Sequence, residues 1–296
     1  METLSASFKD IIKQVVALST SSTHVTEQNV YQSGHEEALP LIDTIIDALV
    51  LPGSGIDGME SLRELLGLAR QGKSCLLLLE HYSNMDLPVF SYLLRKDTER
   101  GGTERGGKEI ADALVAIAGM KLNEASPTVA AFTGAYTRIV IYPSRSLQGL
   151  DAERDRAEII RSNAINRAAM KALLEVKTRG KLILVFPSGT RYRPWDPSTK
   201  KGVREIDSYI KSFDYMCLVG INGELLHVGS GDMMDDYVSQ DRVRFSVSPV
   251  LSCGDFRNQA RARAEEAGIE DKKQAAADAI MEQLQVIHDR SQRPQA

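Results

Sequence analysis

The chain has 296 residues, of which 43% are hydrophobic and 26% charged, so it can bury a full core and is not disordered in bulk. Its formal net charge of −4 argues against a general nucleic-acid binder, whose surface would be strongly basic. We find no secretory signal, no transit-peptide pattern and no apolar run near the roughly 18 residues of a membrane span. These features predict a soluble, cytoplasmic protein, or a stromal one if an organelle-targeting peptide has been removed.

The three cysteines are Cys75, Cys217 and Cys253, and they are widely spaced with no C-x-x-C pair. Cys75 and Cys217 lie within apolar runs, where a free cysteine behaves as a small hydrophobic residue. This pattern favours a reducing compartment.

Residues 1–70 show helical periodicity. Apolar residues repeat at the spacing of one helix face from Ile42 to Val50, and "MESLRELLGLARQG" forms a second such helix that closes on Gly72. We expect no strand in this part of the chain. The sequence therefore predicts a smaller helical N-terminal domain over residues 1–70.

The pattern changes after Ser74 to short apolar runs rich in β-branched residues, separated by helical stretches such as Ala152 to Thr178. The runs are "CLLLL", "RIVIY", "KLILVF", "YMCLVGI" and "RVRFSVSPV". Strands that alternate with helices indicate the α/β class. We predict a mixed β-sheet flanked by helices, forming a catalytic domain over residues 71–296, with a packed helix near the C-terminus.

Three local patterns have ordinary explanations. "GSGIDG", Gly53 to Gly58, matches the dinucleotide fingerprint, but that fingerprint needs a preceding strand, so an interhelical loop is favoured. "TERGGTERGG", Thr98 to Gly107, suits a mobile surface loop. "GDMMDDY", Gly231 to Tyr237, could be taken for a metal site, but a loop or a helix cap is favoured.

His81 and Asp86 follow an apolar run in "LLLLEHYSNMDLPVF". Five residues of a regular helix turn through about 500°, so the two side chains cannot meet on one helix face. A strand that ends near Glu80 and a helix that begins near Leu87 would bring them together across a turn. The carboxylate would then fix the tautomer of an imidazole that acts as a general base near pH 7.

Two other interpretations of this segment stay open. Asp86 could simply cap the helix that follows, with His81 an ordinary residue at the end of a strand. Ser83 could also complete a hydrolytic triad, although the chain contains no G-x-S-x-G elbow.

Two arginines follow a second strand end in "LILVFPSGTRYRPWDP". Arg191 and Arg193 are two residues apart, and side chains at that spacing project to the same side of an extended segment. Pro194 favours the extended geometry at Arg193. The pair forms a candidate clamp for a phosphate, with two solvated loop arginines as the alternative.

Taken together, the H-x-x-x-x-D segment and the arginine segment about a hundred residues later resemble the glycerolipid acyltransferase family. "PSGTRYRPWDP" looks most like the soluble, plastid-type glycerol-3-phosphate acyltransferases, whose third block reads P-S-G-x-R-x-R-P. The resemblance covers roughly residues 73–250. A helical region ahead of an α/β catalytic domain also fits that branch.

The resemblance implies roles for six residues. His81 would be the general base and Asp86 its partner. The acceptor's phosphate would be bound by Arg191, Arg193, Arg145 and Arg167. At Arg145 this chain departs from the branch, which has a lysine-histidine pair where "RIVIYPSRSL" offers Arg145 and Ser146.

The implied reaction moves an acyl group from a thioester of acyl carrier protein or coenzyme A to the sn-1 hydroxyl of glycerol 3-phosphate. It needs no cofactor and no metal. Basic residues between Arg154 and Lys181 could dock an acidic carrier or form a solvated helix face. Peripheral contact with a membrane is left open, and no nucleic-acid partner is expected.

Three other functions remain as alternatives. A lysophosphatidate acyltransferase would use the same residues on an acceptor that already carries one chain. A non-catalytic module that binds phospholipid or carrier could retain the fold. A dinucleotide enzyme would need its cofactor at the glycines near Gly55.

Overall fold

The computed structural model describes residues 1–19, 24–97, 106–124, 126–147, 151, 153–229 and 233–292. Over these residues the chain forms a nine-stranded mixed sheet with helices on both faces, which confirms the predicted α/β class. One separate hairpin pairs β8 with β9. The strands are β1 Tyr31–Gln32, β2 Gly55–Asp57, β3 Cys75–Leu79, β4 Leu114–Gly119, β5 Arg138–Ile141, β6 Leu182–Val185, β7 Tyr215–Asn222, β8 Leu226–His227, β9 Tyr237–Val238, β10 Arg244–Val247 and β11 Leu251–Ser252.

The helices occur mainly between the strands and at both ends of the chain. They are α1 Leu4–Ser7, α2 Lys9–Leu18, α3 Leu39–Leu49, α4 Met59–Arg70, α5 Asp86–Lys96, α6 Gly106–Ala113, α7 Lys121–Glu124, α8 Pro127–Gly134, α9 Arg156–Val176, α10 Ile206–Ser212, α11 Cys253–Glu266 and α12 Lys272–Gln292. The predicted helices between residues 152 and 178 and near the C-terminus are confirmed as α9 and α12.

The strand order is β1-β5-β4-β6-β3-β7-β10-β2, and β11 pairs with β7. Strands β5, β4, β6, β3 and β7 run parallel to one another. All residues of β3 and β6 are buried, which explains why these strands are continuous apolar runs rather than alternating ones. Parallel strands end at one edge of the sheet, so the residues after β3, β4, β5 and β6 come together there.

The two faces of the sheet carry two apolar clusters. One contains Leu77, Leu184 and Phe90 and is covered by helices α2 to α6 and α8. The other contains Leu78, Ile183 and Ile280 and is covered by α9 to α12. This layering places α5 and α9 on opposite faces beside the edge where the parallel strands end.

The expectation of no strand before residue 70 is wrong. Strand β1 pairs with β5, and β2 pairs with β10, so the N-terminal region supplies two short strands to the sheet. The buried residues of α3 and α4 also belong to the same apolar cluster as β3. A strand of two or three residues has too few side chains to show the alternation of apolar and polar residues by which a strand is recognised in a sequence. The domain boundary near residue 70 stays a prediction.

The glycine segment around β2 differs from the predicted loop. The chain leaves α3, passes Gly53, forms the short strand β2 and turns at Gly58, whose φ of +85° suits glycine. The preceding element is a helix, as expected, so the strand that a dinucleotide fingerprint requires ahead of its glycines is absent from this described segment.

Residues 98–105 of the tandem pentapeptide segment lie outside the described residues, and its last two residues, Gly106 and Gly107, belong to α6 rather than to the predicted loop. All three cysteines are free and buried. Within the described ranges, no helix combines the length and the apolar character needed to cross a bilayer.

Candidate active site

The first part of the site is the turn between β3 and α5. Strand β3 ends at Leu79 and α5 begins at Asp86, within one residue of the predicted bounds. This turn brings the Nδ1 atom of His81 within 2.9 Å of the Oδ2 atom of Asp86. The carboxylate and the imidazole therefore meet across the turn, as their spacing predicted.

The Asp86 side chain turns back into the loop rather than capping α5. Its Oδ2 atom accepts hydrogen bonds from the backbone N–H groups of Tyr82 at 2.7 Å and Ser83 at 2.9 Å. Its Oδ1 atom accepts one from the Ser83 hydroxyl at 3.0 Å. That hydroxyl bonds to Asp86 rather than to the imidazole of His81, so the Ser-His-Asp order of a hydrolytic triad is not formed.

Two neighbours orient the imidazole of His81: Asp86 contacts its Nδ1 atom, and Phe186 packs against its ring face. Its ring stacks on Phe186, with 3.9 Å between the ring centroids and 17° between the planes. An ionised carboxylate only accepts hydrogen bonds, so the proton of neutral His81 belongs on Nδ1, facing Asp86. The Nε2 atom then carries the free lone pair, which is the arrangement that a general base requires.

The second part of the site is the loop after β6, which contains both predicted arginines. Gly189 turns the chain with φ of +63°, and the Tyr192 N–H donates a 2.8 Å hydrogen bond to the carbonyl oxygen of His81. The Arg193 N–H donates to the hydroxyl of buried Thr199 at 2.8 Å. The two motifs are thus joined through their backbones.

A cavity of about 810 Å³ opens where these segments meet. His81, Arg191, Arg193 and Arg145 all line it, so the structure brings four of the predicted residues to one space. Asp86 supports the cavity wall from behind His81. Arg167 is exposed on α9 and is not part of the lining.

The three arginines differ in how firmly they are held. Arg191 is mostly buried and pairs at 2.5 Å with the carboxylate of Asp236, whose side chain is fully buried. Arg145 donates a long 3.5 Å hydrogen bond to the carbonyl oxygen of Lys201. The guanidinium of Arg193 has no hydrogen-bond or ion-pair partner among the described residues, so it is the cation most available to a ligand.

Asp236 was missed by sequence reasoning, which assigned its segment to a loop or a cap. Besides binding Arg191, it accepts a 2.8 Å hydrogen bond from the Gly229 N–H. Its buried charge fixes the arginine loop against the turn before β9. Across the described ranges, no three side chains of the His, Cys, Asp and Glu types form a metal-binding group.

A second polar cluster, also missed, is built on Glu80, the residue that precedes His81 in the chain. Buried Glu80 accepts hydrogen bonds from the Ile221 N–H at 2.8 Å and the Tyr82 hydroxyl at 3.0 Å, and lies 3.0 Å from Nδ1 of His288. The hydrogen bond with Glu80 raises the pKa of His288. This cluster ties α12 to the strand end that carries the candidate base.

Most of the remaining cavity lining is apolar. It draws on both apolar clusters, with Val129 and Phe132 of α8 from one face and Ala169 and Leu173 of α9 from the other. The cavity therefore joins a polar end, at His81 and the arginines, to apolar walls. Such a space can hold a ligand with a charged head and a hydrocarbon chain.

Comparison with known proteins adds no assignment. A scan against models of protein families gives no match, and a search of curated proteins finds no significantly similar sequence.

Proposed function

We propose that the protein is a glycerol-3-phosphate O-acyltransferase that transfers a fatty acyl group from a thioester to the sn-1 hydroxyl. The observation that carries this proposal is the shared cavity: an oriented imidazole and three arginines lie at one end of a mainly apolar space. The base suits an alcohol, the cations suit a phosphate, and the walls suit an acyl chain. The sequence resemblance points the same way.

The reaction begins with proton transfer. The Nε2 atom of His81 takes the proton of the sn-1 hydroxyl as the oxygen attacks the thioester carbonyl carbon. The new C–O bond gives a tetrahedral oxyanion, and the C–S bond then breaks. The imidazolium, stabilised by Asp86, returns the proton to the leaving sulfur. The products are 1-acylglycerol 3-phosphate and a free thiol.

The arginines contribute position rather than proton transfer. Arg193 has the freest guanidinium and would make the first phosphate contact, and Arg145, which also lines the cavity, would add a second. Arg191 would share its charge between Asp236 and the phosphate. Holding the acceptor in this way makes the attack effectively intramolecular, which is a large part of catalysis when two substrates must meet.

Helix α9 is the natural docking face for the donor. Asn166, Met170 and other α9 residues line the cavity, while Ile160, Met170 and Leu174 remain more than half exposed. Arg167 is exposed on the same helix. An apolar stripe flanked by basic residues suits an acidic carrier that delivers an acyl chain, so we assign Arg167 to donor docking rather than to phosphate binding.

One observation favours a second candidate, a lysophosphatidate acyltransferase. Trp195 follows the arginine loop and is 63% exposed. Exposed tryptophans anchor proteins at membrane interfaces, where a lysophosphatidate acceptor would lie. The same dyad and arginines would then act on an acceptor that already carries one chain.

The test is an acyl-transfer assay in which glycerol 3-phosphate and lysophosphatidate are offered in parallel, each with acyl carrier protein and coenzyme A thioesters. We expect transfer to glycerol 3-phosphate. Transfer to lysophosphatidate alone would select the second candidate. Binding of the acceptors without transfer from any donor would indicate a non-catalytic module and contradict both proposals.

A further inference from the structure

Arg138, the first residue of β5, is a buried cation that the proposed reaction does not use. Its side chain is 2% exposed, and its Nη1 atom donates hydrogen bonds to the carbonyl oxygens of Thr133 at 2.6 Å and Tyr136 at 3.3 Å. Its Nε and Nη2 atoms are buried and have no hydrogen-bond partner among the described residues. Buried donors without partners are costly, so a ligand that satisfies them would be bound favourably.

The vacant atoms form one edge of the guanidinium. Elsewhere in the same protein this edge binds a carboxylate: Arg257 donates from Nε and Nη2 to the two oxygens of Asp207 at 2.7 and 3.1 Å. Arg244 binds the carboxylate of Asp57 through the same two atoms. Such paired bonds match the planar geometry of a carboxylate. The Arg138 edge has the same geometry and no protein carboxylate.

A second donor lies near this position. Tyr136 also lines the cavity, and its buried hydroxyl likewise has no partner among the described residues. Burial raises the pKa of Tyr136, so the hydroxyl keeps its proton, while burial lowers the pKa of Arg138 only to about 10, so the guanidinium stays charged near neutral pH. Two unsatisfied donor groups therefore belong to the lining of one cavity.

These donors lie far from the candidate base. Arg138 of β5 pairs in register with Ala116 of β4, Ala116 pairs with Leu184 of β6, and Leu184 pairs with Leu77 of β3. Arg138 is therefore three strand spacings from Leu77, and His81 follows Leu77 by four residues. With strands about 4.8 Å apart and a rise of about 3.3 Å per residue, the two positions are separated by roughly 19 Å. The α5 and α8 residues that line the cavity on this face include Leu87, Val129 and Phe132.

We propose that Arg138 and Tyr136 form a carboxylate-binding site at the far end of the cavity, for an alkyl chain that ends in a carboxylate. The chain would lie along the apolar walls. Its carboxylate would accept bonds from Nε and Nη2 of Arg138 and from the Tyr136 hydroxyl. The apolar walls favour the single charge of a carboxylate over the double charge of a phosphate.

Such a carboxylate has two sources. It could be the far end of a dicarboxylic acyl donor, a donor class that rests on the proposed acyl-transfer function. It could also belong to a free fatty acid that occupies the cavity in the reverse direction and blocks it. Both sources share the same contact with Arg138.

The binding test uses calorimetric titration of the full chain with dodecanedioate, dodecanoate and the neutral 1-dodecanol. Arg138→Lys keeps the charge but removes the paired donors, and we expect it to weaken binding of either carboxylate about tenfold or more while leaving 1-dodecanol unchanged. Equal affinity for all three probes in the wild type, or carboxylate binding unchanged in Arg138→Lys, would overturn the proposal.

A second variant keeps the test decisive if Arg138→Lys does not fold. Tyr136→Phe removes only the hydroxyl, and we expect it to reduce the preference for carboxylates over 1-dodecanol several-fold. An unchanged preference in Tyr136→Phe would count against the site. Circular dichroism on each variant establishes whether its fold is intact.

Transfer assays separate the two sources and separate this inference from the proposed function. A monothioester of dodecanedioate that is a better donor than the dodecanoyl thioester would identify a dicarboxylic donor. Carboxylate binding at Arg138 without that donor preference would identify the free fatty acid. Carboxylate binding without any acyl transfer would refute the proposed function alone, and transfer without carboxylate binding would refute this site alone.

Discussion

The backbone N–H of Tyr192 donates a 2.8 Å hydrogen bond to the carbonyl oxygen of His81. This bond joins two segments that lie about a hundred residues apart in the sequence, at the ends of the neighbouring strands β3 and β6. It fixes the arginine loop relative to the imidazole. The phosphate-binding and base positions are therefore set by the same sheet edge.

The Asp86 carboxylate should be essential for the tautomer of His81. In Asp86→Asn the amide N–H₂ can face Nδ1, which moves the imidazole proton to Nε2 and removes the free lone pair. We expect kcat to fall about 10²- to 10⁴-fold. We also expect stability to fall by about 1–3 kcal/mol, because buried backbone donors lose an ionised acceptor. Kinetics and urea unfolding measure the two effects.

Asp97→Asn is the matched control, because Asp97 follows the other end of α5 and pairs with Arg63 near the surface. It should leave kcat unchanged and cost less than about 1 kcal/mol. Similar kcat values for Asp86→Asn and the wild type would contradict the proposed role of the carboxylate.

Arg193 and Arg191 should respond differently to alanine. The guanidinium of Arg193 has no hydrogen-bond or ion-pair partner among the described residues, so Arg193→Ala should raise the KM for glycerol 3-phosphate about tenfold or more with little change in stability. Arg191→Ala should also destabilise the protein by about 3 kcal/mol, because it removes the ion-pair partner that Arg191 gives to the buried carboxylate of Asp236. Steady-state kinetics and denaturant unfolding distinguish the two variants.

The stability loss in Arg191→Ala has its own control. Adding Asp236→Asn removes the buried charge that Arg191 balanced and should restore much of the lost stability without restoring the KM. If the double variant is no more stable than Arg191→Ala, the buried ion pair is not the cause of the loss.

The Glu80 and His288 pair predicts a pH dependence of stability. The hydrogen bond with Glu80 raises the pKa of His288 above its unfolded value of about 6.5. The protonated form is therefore favoured in the folded state, and its contribution is fully present below about pH 6.5 and lost as the pH rises through the folded pKa. His288→Gln should cost more stability at pH 6 than at pH 9.

Unfolding free energies of the wild type and His288→Gln across this range provide the measurement. Val286→Ala, which changes an exposed residue without a titratable group on the same helix α12, is the control and should show no such trend. A destabilisation by His288→Gln that stays constant from pH 6 to pH 9 would contradict the assigned protonation.

The strands of the sheet were predictable where burial on both faces leaves an uninterrupted apolar run, as in β3, β6 and β7. Strand β4 was missed because "LVAIAG" contains two alanines and a glycine, which have weak strand propensity. It forms because β5 and β6 pair with it on both sides. Tertiary pairing therefore decided an element that local sequence did not.

The site was predictable where its chemistry is local in sequence. His81 and Asp86 are five residues apart, and the arginines share one loop. Asp236 and His288 were missed because their partners lie 45 and 208 residues away, so no spacing along the chain records the contact. Only the fold brings these side chains to the candidate base and its arginine loop.

His81 acts, in the proposed reaction, as the general base for acyl transfer to glycerol 3-phosphate. The most direct test of this role compares the rate of acyl transfer by the wild type, His81→Ala and the control His24→Ala, with the fold of each monitored by circular dichroism. We expect transfer by the wild type and the control, and a loss of about 10²- to 10⁴-fold in folded His81→Ala. Undiminished transfer by His81→Ala would contradict this role.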